Sequence, residues 1–357
     1  MTNLPGTLAE VTPAWLSSVL SSADRNVTVD EVRVDRVIDG TATKARLRIT
    51  YAGPGADGLP TRLWIKGGYG RESAKVMPTG AYAVEARFYR DLSPRIPVVV
   101  PTCYFADCDE TTQQGVVLLA DLAQDGVEFC NAARPLTVDQ VASFLELLVP
   151  LHAFWWQSAE LDTIPWLRSP LERGTPSDRY VSRFSAADLD AFVAMPRADV
   201  VPAGITGQGV VDALHALQDR VTLQPQCLLH GDTHLGNTYL RRDGSPGLLD
   251  WQTAWRGNWA HDVAYFITSA LTVEDRRRHE RDLLRHYLAA LAAAGAAAPG
   301  FDEAWDDYRR YVAYGLFIWL INPVEAQPDE VNIPNITRFS AAADDLDTFG
   351  ALGVKAG

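Results

Sequence analysis

The sequence has few cysteines, little basic charge and no long apolar run. Its four cysteines form no Cys-x-x-Cys pair and no dense framework, so we expect reduced thiols in a cytoplasmic protein. The first twenty residues contain no Lys or Arg, so they lack the basic region of a signal peptide. The most apolar stretch, residues 287–299, is short, rich in alanine and interrupted by Gly295, which excludes a membrane-spanning helix there.

Acidic residues outnumber basic ones by 45 to 32, and the formal net charge is −13. Binding to nucleic acid depends on neutralising phosphates with Lys and Arg, so this balance argues against a nucleic-acid partner. It is compatible with a cationic substrate. We expect no nucleic acid and no membrane as partners, and a monomer or homodimer. The length of 357 residues allows one large domain or two lobes, and 47% hydrophobic with 22% charged residues is typical of a globular protein.

The most informative stretch is residues 227–252, which read CLLHGDTHLGNTYLRRDGSPGLLDWQ. A short apolar run predicts a buried strand, a polar loop follows, and the Asp-Gly turn at Asp243 predicts a hairpin of two short strands. This order of elements brings Asp232, Asn237 and Asp250 to one edge. Their carboxylate and amide oxygens are hard ligands, suited to a Mg²⁺ ion that also holds phosphate oxygens.

These residue types are the ones that phosphoryl transfer requires. One carboxylate must orient an attacking hydroxyl and accept its proton, while an amide and a second carboxylate hold the metal on the nucleotide. Protein kinases carry H-R-D-x-x-x-x-N followed by D-F-G. Here HGD begins at His230, Asn237 lies five residues after Asp232, and DWQ begins at Asp250.

The HGDxHxxN…D pattern resembles the aminoglycoside phosphotransferase and choline kinase superfamily of small-molecule kinases, and the DWQ ending resembles its ecdysteroid kinase-like branch. The resemblance implies an α+β, bilobal protein-kinase-like fold. It also implies that Asp232 is the catalytic base or orienter, that Asn237 and Asp250 bind the metal, and that His230 and Asp262 support the loop.

Two other interpretations of the loop stay open. His230, Asp232 and His234 alternate, as ligands of a transition metal in a hydrolase can. Zinc sites usually take three or four nitrogen or sulfur ligands, however, and no further His or Cys cluster in the sequence completes one. The loop could also be only a polar turn in which His230 packs structurally.

The N-terminal part is typical of strands joined by a loop that phosphates could approach. Alternation predicts a strand over residues 44–51, and residues 32–38 and 61–66 predict two more. A turn with small and hydroxylated residues lies between the strands 32–38 and 44–51. The nucleotide-binding candidates in it are Gly40, Thr41 and Thr43.

Lys66 ends the third of these strands, and Glu85 follows nineteen residues later in the helical stretch 82–89. A strand lysine paired with a helix glutamate, holding the α- and β-phosphates, is the recurring kinase arrangement. Residues 98–105 and 116–122 predict further strands. At the end of the second, the resemblance implies that Asp121 and Leu122 contact the adenine through their backbone.

The rest of the chain predicts helices. A capping box at residues 137–140 opens one, residues 210–221 and 305–320 form others, and Asp262 begins another. The resemblance implies that the C-terminal helices line the acceptor site, although an aromatic stripe is more often core than pocket. The candidate acceptor residues are Trp155, Trp255, Trp259, Trp305 and Trp319.

We therefore expect an N-terminal nucleotide-binding lobe over residues 1–122, built on an antiparallel sheet, and a larger, mostly helical catalytic and acceptor-binding lobe over residues 123–357. The expected reaction is Mg²⁺-dependent transfer of the γ-phosphate of ATP, with GTP possible, to a hydroxyl of a small molecule. A protein kinase is disfavoured because no activation segment follows Gln252. A pseudokinase or scaffold that binds nucleotide without transfer stays an alternative.

The acceptor is the least determined part of this expectation. Flat aromatic walls favour a ring-bearing antibiotic, nucleoside, sugar or other metabolite. The alternative is an aminoglycoside-type phosphotransferase, which needs carboxylates that converge on ammonium groups. The candidate acids are Asp302, Glu303, Asp306, Asp307, Glu325, Asp329 and Glu330.

Overall fold

The computed structural model describes residues 4–70, 73–175 and 178–357. Its strands in chain order are β1 (Thr28–Ile38), β2 (Thr43–Ala52), β3 (Arg62–Gly67), β4 (Cys103–Cys108), β5 (Gly115–Ala120), β6 (Glu128–Phe129), β7 (Cys227–Leu229), β8 (Thr238–Leu240), β9 (Pro246–Leu248) and β10 (Trp255–Gly257). Its α-helices are α1 (Pro13–Leu20), α2 (Ser73–Val76), α3 (Ala81–Arg87), α4 (Val138–Phe154), α5 (Asp178–Ser182), α6 (Ala186–Val193), α7 (Gly207–Arg220), α8 (Ala260–Ala270), α9 (Val273–Ala293), α10 (Phe301–Ile321), α11 (Asp329–Asp345) and α12 (Thr348–Leu352).

The chain divides into two compact units. The first unit consists of Met1–Arg95, Val100–Val127 and Asp250–Thr253. The second consists of Ile96–Val99, Glu128–Leu249 and Ala254–Gly357. The short segment that begins at Asp250 therefore belongs to the first unit. The expected boundary after residue 122 stays a prediction.

The first unit is built on a five-stranded sheet in the order β1-β2-β3-β5-β4, and every neighbouring pair is antiparallel. The alternation in β2 decides which face is buried. Ala45, Leu47 and Ile49 are buried, and they join one core with Leu16 of α1 and Ile65 of β3. The residues that alternate with them, beginning with Lys44, lie on the other face of the sheet. The predicted antiparallel sheet is confirmed.

The strand predicted at residues 98–105 is wrong in its first half, because β4 begins only at Cys103. Pro97 and Pro101 lack the N–H that a sheet ladder requires, so pairing cannot begin earlier without a gap. The carbonyl of Val99 instead accepts the N–H of Leu248 at 3.5 Å, within the second unit.

The second unit is mainly helical. Helix α4 begins with the predicted capping box, in which Thr137 Oγ1 accepts the N–H of Gln140 at 3.2 Å and Gln140 Oε1 accepts the N–H of Thr137 at 2.9 Å. The predicted hairpin is also present, since β8 and β9 pair antiparallel and β6 extends them. Strand β7 pairs with β10. None of the described helices combines the length and the apolar character needed to cross a membrane.

Candidate active site

The loop after β7 is fixed by the carboxylate of Asp262. Its Oδ2 accepts the backbone N–H of His230 at 2.7 Å, and its Oδ1 accepts that of Gly231 at 2.8 Å. Thr233 Oγ1 donates to the backbone carbonyl of Asp262 at 2.8 Å. Asp262 lies in the first turn of α8, where a negative charge is favoured by the helix dipole. The loop is thereby tied to one helix on both sides of Asp232.

Buried imidazole groups hold Asp262 in place and favour its ionised form. Burial opposes ionisation of Asp262, but the hydrogen bond with His152 and the neighbouring imidazoles outweigh it and lower the pKa of its carboxyl. His152 Nε2 lies 3.2 Å from Asp262 Oδ2, and its Nδ1 lies 2.7 Å from the hydroxyl of Tyr287. On the other side, His261 Nε2 donates to the carbonyl of Gly231 at 3.0 Å, and burial lowers the pKa of His261. A neutral imidazole satisfies this single acceptor.

Asp232 and Asn237 form a direct pair. The Asn237 amide nitrogen donates to the backbone carbonyl of Asp232 at 2.9 Å and to its carboxylate Oδ2 at 3.0 Å. Because the amide nitrogen is used in this way, the carbonyl oxygen of Asn237 is the atom suited to a hard cation. The Asp232 side chain is about one-third exposed, at 31%, so an acceptor can reach it.

His234 lies beside this pair. Its Nδ1 accepts the N–H of Gly236 at 3.0 Å, so it caps the short turn Leu235–Asn237. An Nδ1 that accepts leaves the proton on Nε2, and Nε2 lies 3.5 Å from Asp232 Oδ2. A Cβ on Gly236 would lie 2.6 Å from His234 Cε1, so this imidazole position requires glycine. His234 thus fixes the turn that carries Asn237.

His230 connects the loop to the residue before Asp250. Its Nε2 lies 3.0 Å from the carbonyl oxygen of Leu249, and its Nδ1 accepts the N–H of Asp232 at 3.3 Å. The N–H of Leu249 donates to the carbonyl of Asn237 at 3.0 Å. These contacts are those that a loop-supporting role for His230 requires.

In the first unit, Lys66 and Asp250 form the centre of a buried ionic cluster. Lys66 Nζ lies 2.8 Å from Glu85 and 2.7 Å from Asp250 Oδ1. Asp250 Oδ2 lies 3.1 Å from Lys44 Nζ. Burial opposes ionisation of Asp250, but the charges of Lys66 and Lys44 outweigh it and hold the pKa of its carboxyl far below the usual range. A carboxylate whose ionised form is favoured in this way is suited to bind a divalent cation.

Trp251 anchors the Asp250 segment to α3. Its ring stacks on Phe88 with centroids 3.9 Å apart and planes 7° apart. Its backbone N–H donates to Glu85 Oε1 at 3.3 Å, so Glu85 contacts both Lys66 and the residue after Asp250. Asp250 itself has φ of +68°, a left-handed conformation that Asp adopts more readily than most residues. The stack and the hydrogen bond hold the backbone in this conformation.

The predicted nucleotide-binding residues lie at the β1–β2 turn and at the end of β5. Gly40 and Thr41 belong to the turn, and Thr43 begins β2 with its hydroxyl donating to Asp39 at 3.2 Å. Asp121 directly follows β5, and its Oδ1 accepts the indole N–H of Trp64 at 3.0 Å, while Leu122 opens the next short turn. Trp64 and Lys66 lie two residues apart in β3 and so share one face of the sheet. The nucleotide roles of these residues stay predictions.

The tryptophans assigned to the acceptor site lie mostly in the core. Trp155 and Trp259 are fully buried, and Trp259 stacks on Tyr287 at 5.3 Å. Trp255 packs its ring against His261, and the half-buried Trp305 lies under the guanidinium of Arg281 at 4.0 Å. Trp319 is buried as well, at 2% exposure, but its ring has a different neighbour.

The Trp319 ring packs edge-to-face against His234 with centroids 5.2 Å apart, and its indole nitrogen is buried with no hydrogen-bond partner among the described residues. It is therefore the tryptophan that the structure places beside the Asp232 loop. The geometry favours core roles for Trp155 and Trp259.

Three contributing residues escaped prediction from the sequence. His261 and His234 each hold the loop through one ring nitrogen, and Lys44 contacts Asp250. A signal for His234 was present, because its position within the HGDxH pattern places it two residues after Asp232. Lys44 had no comparable signal, since a lysine at the start of a strand is usually a solvated charge.

Sequence comparison assigns the family. Residues 63–297 match the sequence profile of the ecdysteroid kinase-like family. The chain belongs to this family. The match includes Lys66, Glu85, the Asp232 loop and Asp250. A comparison with curated proteins found no match for this ecdysteroid kinase-like protein.

Solved structures that resemble this ecdysteroid kinase-like protein share little sequence with it. A protein from Ralstonia eutropha described as an aminoglycoside phosphotransferase has a TM-score of 0.54 at 10% identity, covering 96% of this chain and 97% of that one. An ethanolamine kinase from Plasmodium vivax has a TM-score of 0.53 at 11% identity, covering 88% and 82%. A choline kinase from Streptococcus pneumoniae has a TM-score of 0.46 at 12% identity, covering 90% and 94%. The first two confirm the predicted bilobal kinase-like α+β fold.

Proposed function

We propose that this protein transfers the γ-phosphoryl group of ATP to a hydroxyl of a small molecule, with Mg²⁺ as the required cation. The observation that carries the proposal is the Asp232 carboxylate, which is partly exposed and held by Asn237 on a loop braced by Asp262. A carboxylate fixed in this way can orient an alcohol and receive its proton.

The reaction we propose is an in-line displacement. The acceptor oxygen forms a bond to the γ-phosphorus, the bond from that phosphorus to the β–γ bridging oxygen breaks, and ADP leaves with the bond's electron pair. The hydroxyl proton passes to the Asp232 carboxylate. The ammonium group of Lys66, which lies 2.8 Å from the Glu85 carboxylate, contacts the phosphate oxygens in this reaction. Nucleotide binding by the β1–β2 turn and by Asp121 and Leu122 is part of the same proposal, and GTP is an alternative donor.

Asp250 and Asn237 each carry an oxygen suited to Mg²⁺. Asp250 is ionised and supplies carboxylate oxygens, and Asn237 has its amide nitrogen committed to Asp232, so it presents a carbonyl oxygen. When bound, the ion would neutralise negative charge on the phosphate oxygens. His230 and His234 use ring nitrogens on backbone groups, so they are poor candidates for metal ligands.

For the acceptor, we propose a largely neutral, ring-bearing molecule rather than a polycation. Several of the acids that could recognise ammonium groups already have cationic partners. Asp306 pairs with Arg309 and Arg310, Asp307 pairs with Arg310 at 3.1 Å, and Asp329 lies 3.8 Å from Arg197. The aromatic ring that packs beside the Asp232 loop is Trp319, which lies against His234 and is buried at 2% exposure.

A substrate panel tests these proposals together. ADP release is measured with Mg²⁺-ATP and hydroxylated compounds that include nucleosides, sugars, macrolides and aminoglycosides, each at low and high salt. We expect turnover of a neutral ring compound that changes little with salt. Strong turnover of aminoglycosides that collapses at high salt would show that acids select the acceptor. Binding of Mg²⁺-ATP without transfer to any compound would favour a pseudokinase.

A further inference from the structure

Lys44 and Lys66 are directly opposite each other in the β2–β3 ladder. Residues in direct register on antiparallel strands project from the same face of the sheet, so the two lysine stems run side by side. Like charges in this position destabilise a sheet. The fold therefore keeps two ammonium groups together on the face that also carries Trp64.

The carboxylate of Asp250 compensates this repulsion by contacting both lysines. Oδ1 lies 2.7 Å from Lys66 Nζ, and Oδ2 lies 3.1 Å from Lys44 Nζ. The lysines differ in their other surroundings. Lys66 has a second carboxylate partner in Glu85, and its side chain is only 6% exposed, whereas the Lys44 side chain is 37% exposed. Lys44 is thus the ammonium that can exchange Asp250 for a dissolved anion.

The buried Lys66 occupies Oδ1 of Asp250, so a divalent cation there would share Oδ2 with Lys44. Mg²⁺ requires carboxylate oxygens at about 2.0–2.1 Å, and an ammonium group in contact with the same oxygen would repel it. Lys44 must then move away, and it needs another anionic partner. Phosphate oxygens can serve, because lysine binds phosphate as a point charge.

We propose that Lys44 is a second phosphate-binding cation of this site and that it competes with the divalent metal for Asp250, so that metal binds tightly only together with a nucleotide. This inference rests on the proposed function, because it takes Asp250 as a metal ligand and the nucleotide as the source of phosphate. Its consequence is thermodynamic coupling, in which nucleotide binding raises the affinity for metal and metal binding raises the affinity for nucleotide.

The test compares wild type with Lys44→Met and, as the matched control, Arg48→Met. Arg48 lies four residues further along β2 on the same face, so its loss removes the same charge from the same strand. Mn²⁺ binding without nucleotide is measured by electron paramagnetic resonance, ADP binding without metal by calorimetry, and Mn²⁺ binding again with ADP present. Lys44→Gln serves as a second neutral variant if the Met variant folds poorly.

For the Lys44 variants we expect Mn²⁺ alone to bind roughly tenfold more tightly and ADP alone roughly tenfold more weakly than to wild type. Coupling between the two ligands then falls, while Arg48→Met keeps it. Unchanged coupling in the Lys44 variants, or an equal change in Arg48→Met, overturns the role of Lys44 but leaves the proposed function standing. A wild-type protein that binds no ADP with Mn²⁺ overturns both.

Discussion

The carboxylate of Asp262 accepts the backbone N–H of His230 at 2.7 Å. This single contact joins the start of α8 to the loop that carries Asp232, and the second oxygen of Asp262 repeats it on Gly231. The loop is therefore held to α8 through its backbone, while the Asp232 carboxylate accepts from Asn237. Positioning of the proposed catalytic group thus depends on Asp262, a fully buried residue.

Removing the charge of Asp262 should lower the free energy of unfolding, because the contacts that hold the Asp232 loop are lost. In Asp262→Asn, one side-chain oxygen is replaced by a donor that faces a backbone N–H, and His152 loses its anionic partner. Breaking a buried charge network of this kind costs roughly 3–5 kcal/mol. Asp275→Asn is the control, because Asp275 also lies in the first turn of a helix but is only half-buried. The free energy of unfolding is measured by chemical denaturation. If both variants lose the same amount, Asp262 has no special role in holding the loop.

Stability should fall as the solution is acidified from neutral pH, and His261 should contribute. Burial lowers the pKa of His261 below its usual value of 6.5. A histidine whose pKa is lower in the folded state binds fewer protons when folded, so its contribution is complete above pH 6.5 and is lost as the pH falls. For one proton the slope reaches about 1.4 kcal/mol per pH unit.

Thermal or urea unfolding between pH 7.5 and 5.5 measures this slope. His261→Gln keeps a donor for the Gly231 carbonyl but cannot titrate, so its slope should be shallower. His286→Gln, at an exposed histidine paired with Glu146, is the control for the substitution itself. If His261→Gln and wild type lose stability in parallel, His261 is not the titrating group.

A methyl group on Gly236 should impair the site more than the fold. The added Cβ would lie 2.6 Å from His234 Cε1, so the imidazole must move away from its cap position beside Asp232. Gly244→Ala gives the opposite case, since Gly244 has φ of +81° but open space around its Cα. That variant should lose about 1–2 kcal/mol of stability and keep its turnover.

The paired measurement is kcat with the best acceptor of the panel, alongside the unfolding midpoint. We expect Gly236→Ala to lose more than tenfold in kcat, because small displacements of reacting groups can cost about 10²-fold. Normal turnover in Gly236→Ala would show that the His234 position is irrelevant to Asp232.

Replacing Lys66 should affect both stability and nucleotide binding. Lys66→Met leaves the buried carboxylate of Glu85 without its cation, and a loss of roughly 3–5 kcal/mol is typical of such a change. The rise in melting temperature that Mg²⁺-ATP gives to wild type should also disappear. Arg62→Met, four residues earlier in β3, is the control and should keep that rise. A Lys66→Met protein still stabilised by Mg²⁺-ATP would contradict a phosphate contact.

The parts of the site that could be predicted from the sequence are those whose residues are close together in the chain. Asp232 and Asn237 are five residues apart, and the hairpin that follows has turn residues with defined backbone preferences. Lys66 and Glu85 are nineteen residues apart, at the ends of a recognisable strand and helix. In each case the local pattern specifies both the element and the direction of the side chain.

Contacts between distant segments could not be predicted in this way. Lys44 and Asp250 are separated by 206 residues, and the stack of Trp251 on Phe88 also joins remote parts of the chain. For a lysine in an alternating strand, the sequence predicts only the face of the sheet on which it lies. For a tryptophan in an apolar helix, it predicts only that the ring is buried. Thus Trp259 was assigned to the acceptor site although its ring stacks on Tyr287 in the core.

The most direct test follows the γ-phosphate itself. Wild type and Asp232→Asn are incubated with γ-labelled ATP, Mg²⁺ and the acceptor that gave the most ADP in the panel, and the labelled product is quantified. We predict a phosphorylated acceptor with wild type and a rate lower by roughly 10²–10⁴-fold in Asp232→Asn, with equal binding of Mg²⁺-ATP. Label transfer at the same rate in both proteins, or none from a wild-type protein that binds Mg²⁺-ATP, would contradict a kinase that acts through Asp232.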